Sequence, residues 1–213
     1  MRKAVGFYWT LPVPWAGFRD LPKEVEEAAK LSKTIRYQMH LVRAFAKTEK
    51  YELVAERVFV ELQPDRPSHH IREPLEGLAA LCRAEHAELL YVDFSELQGW
   101  RSHHIMQGWL DDKDCDIEHM PISPRRFPID GLDFDPQAHF RQWRDEWDKW
   151  KTSKSARSHS LLNQITAMRS AKASYAAIAE ELNRRGLHSP TGKIWTGESI
   201  RKFAARNRSR SVS

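Results

Sequence analysis

Cys115 and His119 stand four residues apart in an acidic run that also holds Asp111, Asp112, Asp114, Asp116 and Glu118. Four residues is about one helical turn, a spacing that can bring a thiolate and an imidazole onto one zinc ion. No second Cys/His pair stands at finger spacing, so the run reads more simply as a solvated loop. The adjacent pairs His69–His70 and His103–His104 rarely place both rings on one ion. Asp93, Ser95 and His103 have the side-chain types of a hydrolase triad, but nothing like a nucleophile elbow surrounds Ser95. A glycine-rich loop able to cradle phosphates is missing, which argues against nucleotide hydrolysis. The expectation is no metal, no cofactor and no small-molecule substrate.

The remaining chemistry is cationic and sits at one end. From Lys151 to Ser213 there are 13 Lys/Arg against 3 Asp/Glu, a net of +10, while the preceding 150 residues hold 21 basic and 26 acidic side chains, a net of −5. A mildly acidic body with a strongly basic tail suits a separate module that meets a polyanion. The tail also has helical order. In "KASYAAIAEELNRRGLHSPTGKIWTGESIRKFAAR" (172–206), Ser174 can cap a helix whose apolar face is Tyr175, Ile178, Ala179 and Leu182. Gly186 suits a left-handed exit from it. Thr196 can cap a second helix with Ile200, Phe203 and Ala204 turned inward, and Trp195 is expected to plug the joint. "SLLNQITAMR" (160–169) would complete a three-helix core. The outward face then presents Lys193, Thr196, Glu198, Ser199, Arg201, Lys202 and Arg206, the candidate DNA-binding residues. Early residues of such a helix lie near base edges and basic ones near phosphates.

These residues need a scaffold, and the first 133 residues suggest one. "KAVGFYW" (3–9) reads as a strand, Leu21–Lys47 as one long helix, and "YELVAERVFVEL" (51–62) as a second strand. Pro74–Glu85 reads as a helix and "AELLYVDF" (87–94) as a third strand, apolar enough to be buried on both faces. Strand and helix in alternation indicate an α/β layer with a parallel sheet. Asp111–Asp133 reads as irregular. "DPQAHFRQWRDEWDKW" (135–150) is an amphipathic helix whose stripe of Phe140, Trp143, Trp147 and Trp150 should pack on the α/β body or on a second copy. "KTSKSARSHS" (151–160) reads as a flexible basic linker.

Hydrophobic residues make up 41% of the 213, enough for a real core. No apolar run approaches the length of a membrane span. The N-terminus lacks the pattern of a signal peptide, and two cysteines do not make a disulfide framework. The expected location is the cytoplasm, in association with the nucleoid.

The tail resembles the segment that follows the catalytic domain in large serine recombinases. The shared features are Ile178-Ala179, Leu182-Asn183, Gly186, Pro190 with Gly192, Trp195-Thr196, and the helix from Ile200 onward. The front half resembles, more weakly, the resolvase-type catalytic domain of the same superfamily. "VGFYWTLP" falls where that family has a Tyr-x-Arg-x-Ser strand end, "YVDFSEL" where it has Leu-Asp-Arg-Leu-x-Arg, and "REPLEGLAALC" where it has an Arg-Pro-x-Leu helix. In that family a serine hydroxyl attacks a phosphodiester and arginines stabilise the charge that develops. Here Leu11 falls at the nucleophile, and Trp9, Phe94 and Leu97 fall at arginines, leaving Asp93 and Arg72 in place.

The fold class expected is thus α/β: a resolvase-like parallel-sheet domain (1–133), an amphipathic helix with a basic linker (134–159), and a small all-α helix-turn-helix domain (160–213). The function expected is binding of double-stranded DNA without strand cleavage, by a transcriptional regulator or mobile-element accessory factor that could pair with a second copy. The alternative is a divergent but active site-specific recombinase that uses Thr10 or another hydroxyl.

Overall fold

The first strand, β1 (Arg2–Thr10), is buried from Ala4 through Thr10, which explains the unbroken apolar run in its sequence. It is flanked on both sides, by β2 (Tyr51–Val60) and by β3 (Ala87–Val92), both parallel to it. A fourth strand, β4 (His119–Ile122), adds in parallel to β3, so the order across the sheet is β2-β1-β3-β4. The computed structural model describes residues 1–64, 67–97, 103–112, 115–190 and 192–208, without the side chains of Ser155 and Arg208. It shows a mixed α/β architecture with a four-stranded parallel sheet, followed by helices.

The chain divides into two compact units. One comprises Met1–Val13 with Phe18–Trp143, and the other Pro14–Gly17 with Arg144–Ser213. In the first, the segment expected as one helix over 21–47 is two: α1 (Val25–Leu31) and α2 (Lys33–Thr48). Ser32 makes the break. Its backbone is extended, its N–H closes α1 on the Ala28 carbonyl at 3.0 Å, and its hydroxyl accepts the Ile35 N–H at 3.3 Å to cap α2. Next come α3 (Arg72–Glu85), which ends at His86 in the left-handed conformation, and α4 (His104–Leu110), which periodicity did not reveal.

The segment 111–133, expected to be irregular, is structured in its second half. It supplies β4 and most of an antiparallel hairpin of β5 (Phe127–Ile129) and β6 (Leu132–Phe134). Asp130 and Gly131, both with positive φ, make the two-residue turn of that hairpin. β4 carries Pro121, which cannot donate to a ladder; the strand tolerates it because it lies at the sheet edge.

Helix α5 (Pro136–Thr152) carries the aromatic stripe, and the stripe divides. Phe140 is buried and meets Phe94 edge-on, with centroids 5.0 Å apart. Trp147 and Trp150 stack on each other at 5.2 Å and meet Trp15 of the second unit at 5.9 and 6.4 Å. The expected linker over 151–160 is helical: after one turn residue, α6 (Lys154–Ser170) runs through it, with Arg157 stacked 4.5 Å over the Trp150 ring. No helix among the described residues is long and apolar enough to cross a membrane.

Candidate nucleic-acid interface

Three helices of the second unit share one core: α6, α7 (Tyr175–Arg184) and α8 (Gly197–Arg208). Leu161 and Ile165 from α6, Ile178, Ala179 and Leu182 from α7, and Ile200 and Ala204 from α8 form one buried cluster closed by Trp195. Each large aliphatic side chain buried there is worth about 1.5–3 kcal/mol. The caps stand where the sequence puts them. The Ser174 hydroxyl accepts the Ala177 N–H at 3.1 Å, and Gly186 exits with φ 68°. The Thr196 hydroxyl accepts the Ser199 N–H at 3.1 Å, and the Ser199 hydroxyl returns the bond by accepting the Thr196 N–H at 2.8 Å.

The turn between α7 and α8 is strapped by a residue whose role the sequence did not reveal. Asn183 donates from Nδ2 to the Trp195 carbonyl and accepts the Trp195 N–H at Oδ1, both at 2.8 Å. The Trp195 indole N–H donates to the Leu187 carbonyl at 2.7 Å. Gly197 lets α8 start against α7: a Cβ there would lie 3.1 Å from the Ala176 nitrogen. The result is a small rigid body with α8 along one side.

On that body Lys193, Thr196, Glu198, Arg201, Lys202 and Arg206 are exposed and Ser199 is half-buried. Thr196 and Ser199 are engaged in the cap. Glu198 takes two N–H bonds from Arg201, each 2.8 Å, and lies 3.5 Å from the Lys202 ammonium. The hydrogen bond from Arg201, with the nearby charges of Arg201 and Lys202, holds the Glu198 carboxyl down to about 2.

The first unit places the other sequence candidates around the C-terminal ends of β1 and β3. In a sheet of this order the chain reverses its direction of winding between these strands, and such reversals normally leave a ligand crevice. Here Trp9 and Phe94 are 3% and 2% exposed, and their rings meet edge-on at 6.0 Å. Leu11 and Leu97 pack against the same core. Thr10 is 5% exposed, and among the described residues its hydroxyl donates only a long hydrogen bond, to the Leu11 carbonyl at 3.4 Å. Asp93 caps a short turn, accepting the Ser95 N–H at 2.9 Å and the Gln107 amide at 3.3 Å. Arg72 is exposed at the start of α3.

The Asp93–Ser95–His103 combination is not assembled. His103 is buried against Glu61, a residue the sequence reading did not single out, with Nε2 2.6 Å from Oε1. Its Nδ1 accepts the Met106 N–H at 3.2 Å, which assigns the ring proton to Nε2. Glu61 also accepts from the Ser68 hydroxyl at 2.7 Å and from the Ser68 N–H at 3.2 Å. Burial opposes its ionisation, but the hydrogen bonds from His103 and Ser68 outweigh that and lower its carboxyl. His69, His70 and His104 are exposed. Cys115 and His119 join no group of three metal-ligating side chains among the described residues, and Asp114 lies outside them.

Residues 158–208 match the model of the Recombinase family, a stretch that takes in most of α6 and all of α7 and α8. No curated protein and no solved structure matches the chain. The matched residues are the three-helix body just described, and the match supports a recombinase family and a recombinase-related DNA function for it.

Proposed function

We propose that the C-terminal helices form a helix-turn-helix domain (160–213) that binds double-stranded DNA, and that the protein does so without cutting it. The observation that carries this reading is the exposed row of Lys193, Arg201, Lys202 and Arg206 on a rigid body within the Recombinase match. In this reading α8 enters the major groove. Arg201 reaches a guanine edge, Glu198 accepts from a cytosine amine, and Lys193, Lys202 and Arg206 meet phosphates. Thr196 and Ser199 fix the helix start and its approach to the backbone. The resolvase-like domain (1–133) and the segment 134–159 then supply dimerisation or a partner surface, in a nucleoid-associated regulator or mobile-element accessory factor.

The absence of cleavage is supported by the filled end of the sheet. Trp9 and Phe94 are buried where a recombinase needs cations, and a phosphate brought among apolar side chains is costly unless charge compensates it. Selection of bound duplexes from a random pool by the full-length protein tests the reading. Enrichment of an inverted repeat supports both recognition and a dimer; failure to enrich any duplex removes it.

A further inference from the structure

Ile194 is 70% exposed, and the other large aliphatic and aromatic side chains among the described residues of the second unit are buried or half-buried. A lone exposed apolar side chain needs no explanation by itself. What distinguishes Ile194 is its mounting. On one side Lys193 is fixed to Ser189: its N–H donates to the Ser189 hydroxyl at 2.9 Å, and its carbonyl accepts the Ser189 N–H at 2.9 Å. On the other side Trp195 is buried and clamped by the two 2.8 Å bonds to Asn183. The backbone of Ile194 is therefore held at both ends while its side chain projects into solvent. A β-branched side chain has few rotamers to lose, so a contact made from this position costs little ordering.

We propose that Ile194 reads a thymine methyl group. The inference rests on the reading that α8 lies in the major groove. Ile194 precedes the first residue of α8 by three positions, within about 10 Å of chain, at the helix end that reaches base edges. Base edges in that groove carry hydrogen-bond donors and acceptors, and one apolar group, the thymine C5-methyl. An isoleucine set there gains by covering that methyl and gains nothing from a polar edge. Ile194 is thus a specificity-determining residue beside the phosphate-facing Lys193.

The test uses the duplex selected from a random pool by the full-length protein, with each thymine replaced in turn by deoxyuridine, which removes the methyl and keeps the hydrogen-bonding edge. At one or two positions the wild-type protein should lose about four-fold in affinity, the value of one buried methyl. Ile194→Ala should bind the thymine and uracil duplexes alike, and Ile194→Val should fall between. Both variants change an exposed side chain and keep the fold. A selected site without thymine, no loss at any position, or a loss that persists in Ile194→Ala overturns the inference while leaving DNA binding by α8 intact. If no duplex is bound at all, the α8 reading falls and the inference falls with it.

Discussion

Glu198 and Arg201 face each other one turn apart on α8, each carboxylate oxygen taking one guanidinium N–H at 2.8 Å. This two-pronged pairing orients the guanidinium but also cancels its charge on the face proposed to meet DNA. Glu198→Gln removes the cancelling charge and loosens Arg201. Affinity for random duplex at low salt should rise by about three- to ten-fold, while preference for the selected site falls. Paired titrations on selected and random duplexes check it; a loss of affinity on both would show that Glu198 contributes attraction.

The same carboxyl sets a pH expectation. Its folded-state value is depressed to about 2 from an ordinary 4.5. Whatever the pair adds to stability is complete above the ordinary value and is lost only as pH falls toward the depressed one. DNA affinity between pH 5 and 8 should therefore show no step assignable to Glu198, so wild type and Glu198→Gln should give parallel profiles there.

Asn183 straps the turn that delivers α8. Replacing it with alanine leaves the Trp195 N–H and carbonyl, at a largely buried joint, without partners. That should cost about 1–3 kcal/mol. Urea unfolding of the full chain should show an earlier transition for the second unit, with that of the first unit unmoved.

In the first unit, His103→Ala strands the buried Glu61 carboxylate with Ser68 and backbone donors alone. Losing a neutral donor to a buried carboxylate typically costs about 1.5–3 kcal/mol. Glu61 is lowered in the fold, so its contribution is present above the ordinary carboxylate value and is lost as pH falls through the folded one. The defect of His103→Ala should thus be largest near neutrality and shrink below about pH 4.5, where the stranded carboxyl takes up a proton. Denaturant midpoints across pH 3–8 read this directly; a defect that grows in acid would contradict it.

Thr10 adjoins Leu11, which the resemblance to serine recombinases sets at the nucleophile, and it is buried with no cation among its described hydrogen-bond partners. Thr10→Ala should leave DNA binding unchanged, and Leu11→Ser should not create cleavage. Denaturing gels of supercoiled DNA carrying the selected site would show nicks and protein-linked ends. Wild-type cleavage that disappears in Thr10→Ala would make Thr10 the nucleophile.

The parts of this molecule legible in the sequence are those where one residue type answers one local need. Ser174, Gly186 and Thr196 mark helix ends because a hydroxyl or a positive φ is required there. The missed parts depend on neighbours distant in sequence. Pro121 argues against a strand until β4 is known to be the sheet edge. Ser32 looks like an ordinary helical residue until its backbone is seen to be extended. The first turns of α6 have no apolar period, and their ring contact is Arg157 on Trp150. Glu61 and His103, 42 residues apart, meet only through the fold. At the proposed interface, composition supplied the cations, but only the structure shows that Glu198 engages two of them.

The most direct test of the central claim compares duplex affinity and its salt dependence for the full chain and for a chain ending at Trp150. The residues removed, 151–213, carry the whole +10 excess of the tail. The full chain should lose affinity steeply with salt, since each phosphate it neutralises releases condensed counterions. The shortened chain should retain little affinity and a shallow slope. Equal affinity and equal slope for the two chains would contradict the account.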